Sequence, residues 1–134
     1  MARIEGLNKT ILLVVENGEY LLKLPSLISN ISDVKQVITT EYTPQSWDEL
    51  LLRGVSAAVI HPINLINERD DLDTGIRNNI IMILLKSLGG GQIENQLMNE
   101  YESRGIPTFW KSGRSVEELW VKILTKLAES VVIK

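Results

Sequence analysis

The side chains able to do chemistry in this sequence stand at the ends of short aliphatic runs. Glu16 and Asn17 close the run Ile11 to Val15, His61 follows Val55 to Ile60, and Lys111 follows Ile106 to Trp110. A carboxylate such as Glu16 holds a hard cation through oxygen. A histidine changes charge near neutral pH and serves as a phosphoacceptor or general base, and a lysine pairs with an anion. Gly89, Gly90 and Gly91 precede a helix-patterned stretch, where free backbone N–H groups offer anion binding. Their spacing fits neither the Walker nor the dinucleotide fingerprint. Each feature also has an ordinary structural reading. His61 is then a strand-end histidine bonded to a loop carbonyl, Lys111 a surface cation near Glu16 or Glu117, and the glycines a flexible turn. An enzyme using His61 as base with Glu16 or Lys111 is the weakest reading, because nothing marks a nucleophile or metal beside them.

Elements must place these groups, and the apolar pattern supplies them. Ile11 to Val15 is a continuous apolar run ended by the turn signal Asn17-Gly18, which reads as a strand buried on both faces. Tyr20 to Ile31 has helical spacing, but Pro25 within it costs about 3 kcal/mol in a helix interior, so the helix is expected to kink or begin late. Val34 to Thr40 reads as a second strand. Thr43-Pro44 starts a short helix carrying Trp47, Leu50 and Leu51, with Gly54 as its left-handed cap. Val55 to Ile60 is the third strand. The segment from Asp70 to Leu88 is ambiguous between one helix and a strand at Ile80 to Leu85; the bounding Asn78-Asn79 and Gly89 to Gly91 favour the strand. A polar helix over Gln92 to Ser103 ends at Gly105, and Ile106 to Trp110 is the last strand. Ser115 and Glu118 form a capping box for a final helix, whose apolar periodicity from Val116 runs to the end of the sequence.

Strands alternating with helices predict an α/β three-layer sandwich around a four- or five-stranded parallel sheet, flavodoxin-like in shape. Residues 1–134 read as one domain, with 1–9 as a flexible lead-in. In such sheets, ligands gather beyond the carboxyl ends of the strands, where Glu16, Asn17, His61 and Lys111 fall. Composition removes other classes. The chain has no cysteine and a single histidine, which excludes disulfides, thiolate metal sites and histidine-rich metal sites. A formal charge of −3 argues against nucleic acid as a partner. No apolar run approaches the roughly 20 residues of a membrane span, and the first residues lack a signal-peptide core, so a cytoplasmic protein without a membrane partner is expected. No cofactor or metal is expected either.

The strand-end layout resembles the receiver domain of bacterial response regulators. The resemblance is carried by Ile11 to Asn17 (ILLVVEN), Val55 to Leu65 (VSAAVIHPINL), Ile80 to Lys86 (IIMILLK) and Lys111 to Leu119 (KSGRSVEEL), within residues 9–130. It implies an acidic pair after the first strand, a phosphorylated Asp after the third and a Lys after the fifth. Here Asn17 replaces one acid and His61 stands at the Asp position. The hydroxyl residue expected after the fourth strand falls on Leu84 or Leu85, and Ser112 replaces the proline after Lys111. A lone Glu is too little charge to hold Mg²⁺ well, so Glu16, Asn17, His61 and Lys111 read as a vestigial site without aspartyl phosphorylation.

Two of the three tryptophans, Trp110 and Trp120, lie near the C-terminal strand and helix. Trp120 also joins the apolar stripe of that helix, where core packing is its ordinary role. By resemblance, this face carries a protein partner or a second copy in a homodimer, with both tryptophans as contacts. The expectation is thus a non-catalytic, pseudo-receiver-like module in signalling or regulation. The alternative is a small-molecule module binding a nucleotide, CoA or a phosphorylated metabolite at the strand ends. Gly105 to Leu127 supports it by resembling the end of the flavodoxin-like domain of acyl-CoA ligases.

Overall fold

The computed structural model describes residues 3–16, 20–41, 47–60, 76, 79–87, 92–111 and 115–133. Its elements run β1 (Ile11–Val15), α1 (Tyr20–Ile31), β2 (Gln36–Thr40), α2 (Trp47–Leu52), β3 (Val55–Ile60), β4 (Ile81–Ser87), α3 (Gln92–Ser103), β5 (Thr108–Lys111) and α4 (Val116–Ile133). The five strands form one sheet in the order β2-β1-β3-β4-β5, and every pairing is parallel. The fold is α/β and flavodoxin-like, with five strands among the described residues.

Each aliphatic run is continuous because a parallel sheet covered on both sides buries every residue of a central strand. Leu12, Val14, Ala57, Val59, Ile83 and Leu85 join α1 and α4 in one core cluster. The alternate residues, including Leu13, Val15, Ala58, Ile60, Met82 and Leu84, join Leu50 of α2 and Leu97, Met98 and Tyr101 of α3 in the other. This geometry decides the ambiguous middle. A helix through residues 80–85 would turn part of that apolar run toward water, whereas strand β4 buries both of its sides between β3 and β5.

α1 begins at Tyr20 and carries Pro25 inside it, so it does not start late. Leu21, Leu24, Ile28 and Ile31 are all buried along its inner face. At roughly 1.5–3 kcal/mol for each buried aliphatic side chain, they outweigh the penalty of one proline. Gly54 has φ 85 and donates its N–H to the Leu51 carbonyl at 3.0 Å, which makes it the left-handed cap that ends α2. A side chain there would also crowd Ile11, whose Cδ1 lies 3.2 Å from the Cβ position.

β5 starts two residues later than the apolar pattern suggests. The Ile106 N–H is used by the Tyr101 carbonyl at the end of α3, and Pro107 has no N–H to donate, so strand pairing begins at Thr108. α4 is capped as its sequence predicts at the Ser115 side, where Oγ accepts the Glu118 N–H at 3.2 Å. Glu117 and Glu118 place negative charge in its first turn, at the positive end of the helix dipole.

The segment before β1 is held firmly from residue 3 onward. The Asp33 carboxylate accepts the N–H of Leu7 at 2.8 Å and of Gly6 at 3.1 Å. Ile4 donates to the Ile31 carbonyl and accepts from the Asp33 N–H, forming a short bridge at Ser32. Leu7 is wholly buried beneath α1 and α4. Among the described residues, no helix is long and apolar enough to cross a membrane.

Candidate functional site

The carboxyl edge of the sheet is where the strand order places β1 beside β3, the crevice that flavodoxin-like folds use for ligands. Glu16 follows β1 directly. Its N–H bonds the Thr40 carbonyl at 3.1 Å, which extends the β1–β2 pairing by one residue. Val15 pairs with Ile60, so Glu16 lies just past the last paired residues of β1 and β3. Its side chain is only 3% exposed. Asn17 and His61 lie outside the described residues, as do Gly89, Gly90 and Gly91.

A second buried charge stands two strands away. β4 continues past Leu85, so Lys86 belongs to the strand and pairs with Trp110 of β5. Lys86 is 1% exposed, and its Nζ sits 5.2 Å from the centre of the Trp110 ring. A desolvated ammonium over an indole face gains roughly 2 kcal/mol from the ring quadrupole. That offsets part of the several kcal/mol that burying an ammonium costs. Lys86 lies in phase with Met82 and Leu84, and Trp110 packs against the same cluster, so both belong to the α2 and α3 side of the sheet.

The next pair along the ladder is Ser87 with Lys111, the last residue of each strand. Ser87 thus ends β4, two residues beyond Leu85, because the strand runs further than its apolar residues do. Lys111 takes the end of β5 as its sequence position suggests. Among the described residues, no group of three His, Cys, Asp or Glu side chains could hold a metal ion.

Trp120 requires a correction. It is fully buried in the cluster on the α1 and α4 side, among Leu119, Ile123 and Leu124. A residue so enclosed offers no contact to a partner. Trp110 packs on the opposite face of the sheet and is half-buried. The two tryptophans therefore share no surface, and the side chain that β5 turns toward α4 is Phe109.

Lys86 is the site residue that sequence reasoning missed. Its signal was a lysine directly after a six-residue aliphatic run, in a sheet with both faces covered. A charged residue in that position must be buried if the strand extends by even one more residue. No family model, no curated protein and no solved structure matches this chain.

Proposed function

We propose that the chain is a non-catalytic, pseudo-receiver-like interaction module in signalling or regulation, without an aspartyl phosphorylation site. It engages a protein partner, or a second copy of itself, through β5 and α4. The observation that carries this reading is the edge formed by β5. Among the described residues, β5 pairs with β4 alone, so its other side is an unfilled sheet edge. Phe109 and Trp110 stand half-buried on its two faces. Shallow depressions of about 300 and 320 Å³ flank Phe109, and both are bordered by Lys126. Aromatic side chains at an accessible edge, rimmed by charge, have the make-up of a protein contact.

The carboxyl edge supports the non-catalytic half of the reading. Glu16 and Lys86 are both buried, so neither presents a freely solvated charge to an incoming phosphoryl group. The neutral Asn17 and the histidine at position 61 remove the carboxylates that Mg²⁺ would require.

The test combines sedimentation velocity, for self-association, with quantitative capture of partners by the immobilised chain. Lys122 and Lys126 are exposed, so a Lys122→Glu/Lys126→Glu double variant leaves the core untouched. The expected result is one dominant species, partner or second copy, whose affinity falls at least about tenfold in that variant and in Trp110→Ala. Equal association by wild type and both variants would remove β5 and α4 as the contact surface.

A further inference from the structure

The opposite edge of the sheet, where the strands begin, holds a depression of about 270 Å³. Its polar lining comes from Asn8, Lys9, Thr10, Ser56 and Asn79, with Ile81 and Val131 as the apolar part. Three adjacent strands deliver these groups: Thr10 directly precedes β1, Ser56 lies in β3, and Asn79 stands just before β4. Neighbouring strands lie roughly 4.8 Å apart, so the three positions fall within the span of one small molecule.

Two backbone irregularities occur at this depression. Ile11 pairs with Val55 but Leu12 pairs with Ala57, so Ser56 is an extra residue opposite no β1 partner. Such bulges redirect a side chain relative to a regular ladder. Asn79 has φ 64, the only left-handed residue other than glycine among those described. Asparagine tolerates that conformation better than most residues, and it brings a side-chain amide where glycine would bring none.

The exposed lining is mostly apolar, and its polar groups set what a ligand must offer. Amides and hydroxyls both donate and accept hydrogen bonds, which suits a hydroxylated skeleton. Among the described residues, Lys9 is the one ionised side chain lining the depression, and this local charge favours an oxyanion. The volume lies just under the roughly 300–1,000 Å³ of pockets for drug-sized ligands, which suits a small molecule. We infer that this amino-edge depression binds a small hydroxylated oxyanion, with its charge against Lys9 and its hydroxyls against Ser56 and Asn79. The inference stands apart from the β5 contact surface and does not depend on it.

Amide NMR titration of the full chain tests it with four probes: glycerol 3-phosphate, glycerate, inorganic phosphate and glycerol. The first two separate a phosphate from a carboxylate ligand, and the last two carry only half of the required chemistry each. The expected result is saturable shifts at Lys9, Ser56 and Asn79 with glycerol 3-phosphate or glycerate, and weaker ones with phosphate or glycerol. Lys9→Met, an exposed position, should raise Kd about tenfold, the loss of one charge-assisted contact. Asn79→Gly keeps the left-handed backbone accessible while deleting the amide, and should also weaken binding. Absence of saturable shifts with both oxyanions, or a Kd that neither substitution changes, would overturn the assignment.

Discussion

Trp120→Ala is expected to lower the unfolding free energy by about 3–5 kcal/mol, read from the midpoint of urea denaturation at constant slope. The side chain is wholly enclosed by α4, α1 and the sheet, and its removal deletes the largest fully buried side chain among the described residues. Both the lost transfer energy and the cavity left behind contribute, because helix and sheet residues close only part of the gap. For a domain stable by about 5–15 kcal/mol, a third or more of the total is then lost. Trp110→Ala should cost less, chiefly the roughly 2 kcal/mol of its contact with Lys86, since that ring is half-buried at the sheet edge. The comparison separates a core tryptophan from a surface one. A loss below about 1 kcal/mol at Trp120, within the range of ordinary surface substitutions, would mean that the residue is not in the core.

Lys86→Glu is expected to have an effect of similar size for a different reason. The substitution reverses charge at a 1% exposed position and brings a carboxylate to the negative face of the Trp110 ring. Introducing an uncompensated charge at a buried site costs about 3–5 kcal/mol. Lys86→Met keeps an unbranched side chain of comparable length, loses the contact with the Trp110 ring without adding a carboxylate there, and should cost less than Lys86→Glu. Near-UV circular dichroism supplies an independent readout, because Lys86→Met alters the environment of Trp110 while leaving the fold intact. Equal stability for Lys86→Glu and wild type would show that the lysine head reaches solvent.

Strand-level organisation was readable because a covered parallel sheet leaves an unmistakable trace: runs such as Ile11 to Val15, apolar at every position, and Val55 to Ile60, broken only by Ser56. Helix ends were readable where a single residue controls them, as Gly54 does through its left-handed backbone and Ser115 through its hydroxyl. The errors have local causes. Pro25 does not delay the start of α1: its penalty is fixed, whereas the compensation from Leu21, Leu24, Ile28 and Ile31 depends on what they pack against. The start of β5 depends on where the Ile106 N–H is spent, a competition between helix end and strand that residue types do not reveal.

The site was less legible than the fold. Spacing placed Glu16 and Lys111 at strand ends, but burial is a property of the assembled layers. Lys86 illustrates this, since its charge suggested the end of a strand and the ladder with Trp110 carries the strand past it. Trp120 illustrates the reverse: helical periodicity placed it in the core stripe, and its nearness in sequence to Trp110 suggested a shared surface that the sheet in fact divides. Thr10, Ser56 and Asn79 lie far apart in the sequence and meet only because β1, β3 and β4 are neighbours, so no motif could announce them.

The central claim is an interaction module whose carboxyl edge no longer takes part in phosphoryl chemistry. The most direct measurement is an amide NMR titration of the full chain with Mg²⁺ and beryllofluoride, a mimic of a phosphoryl group on a carboxylate. The account predicts no saturable shift at Glu16, His61, Lys86, Ser87 or Lys111. Saturable shifts clustered on those residues would contradict it and restore a working phosphoryl site.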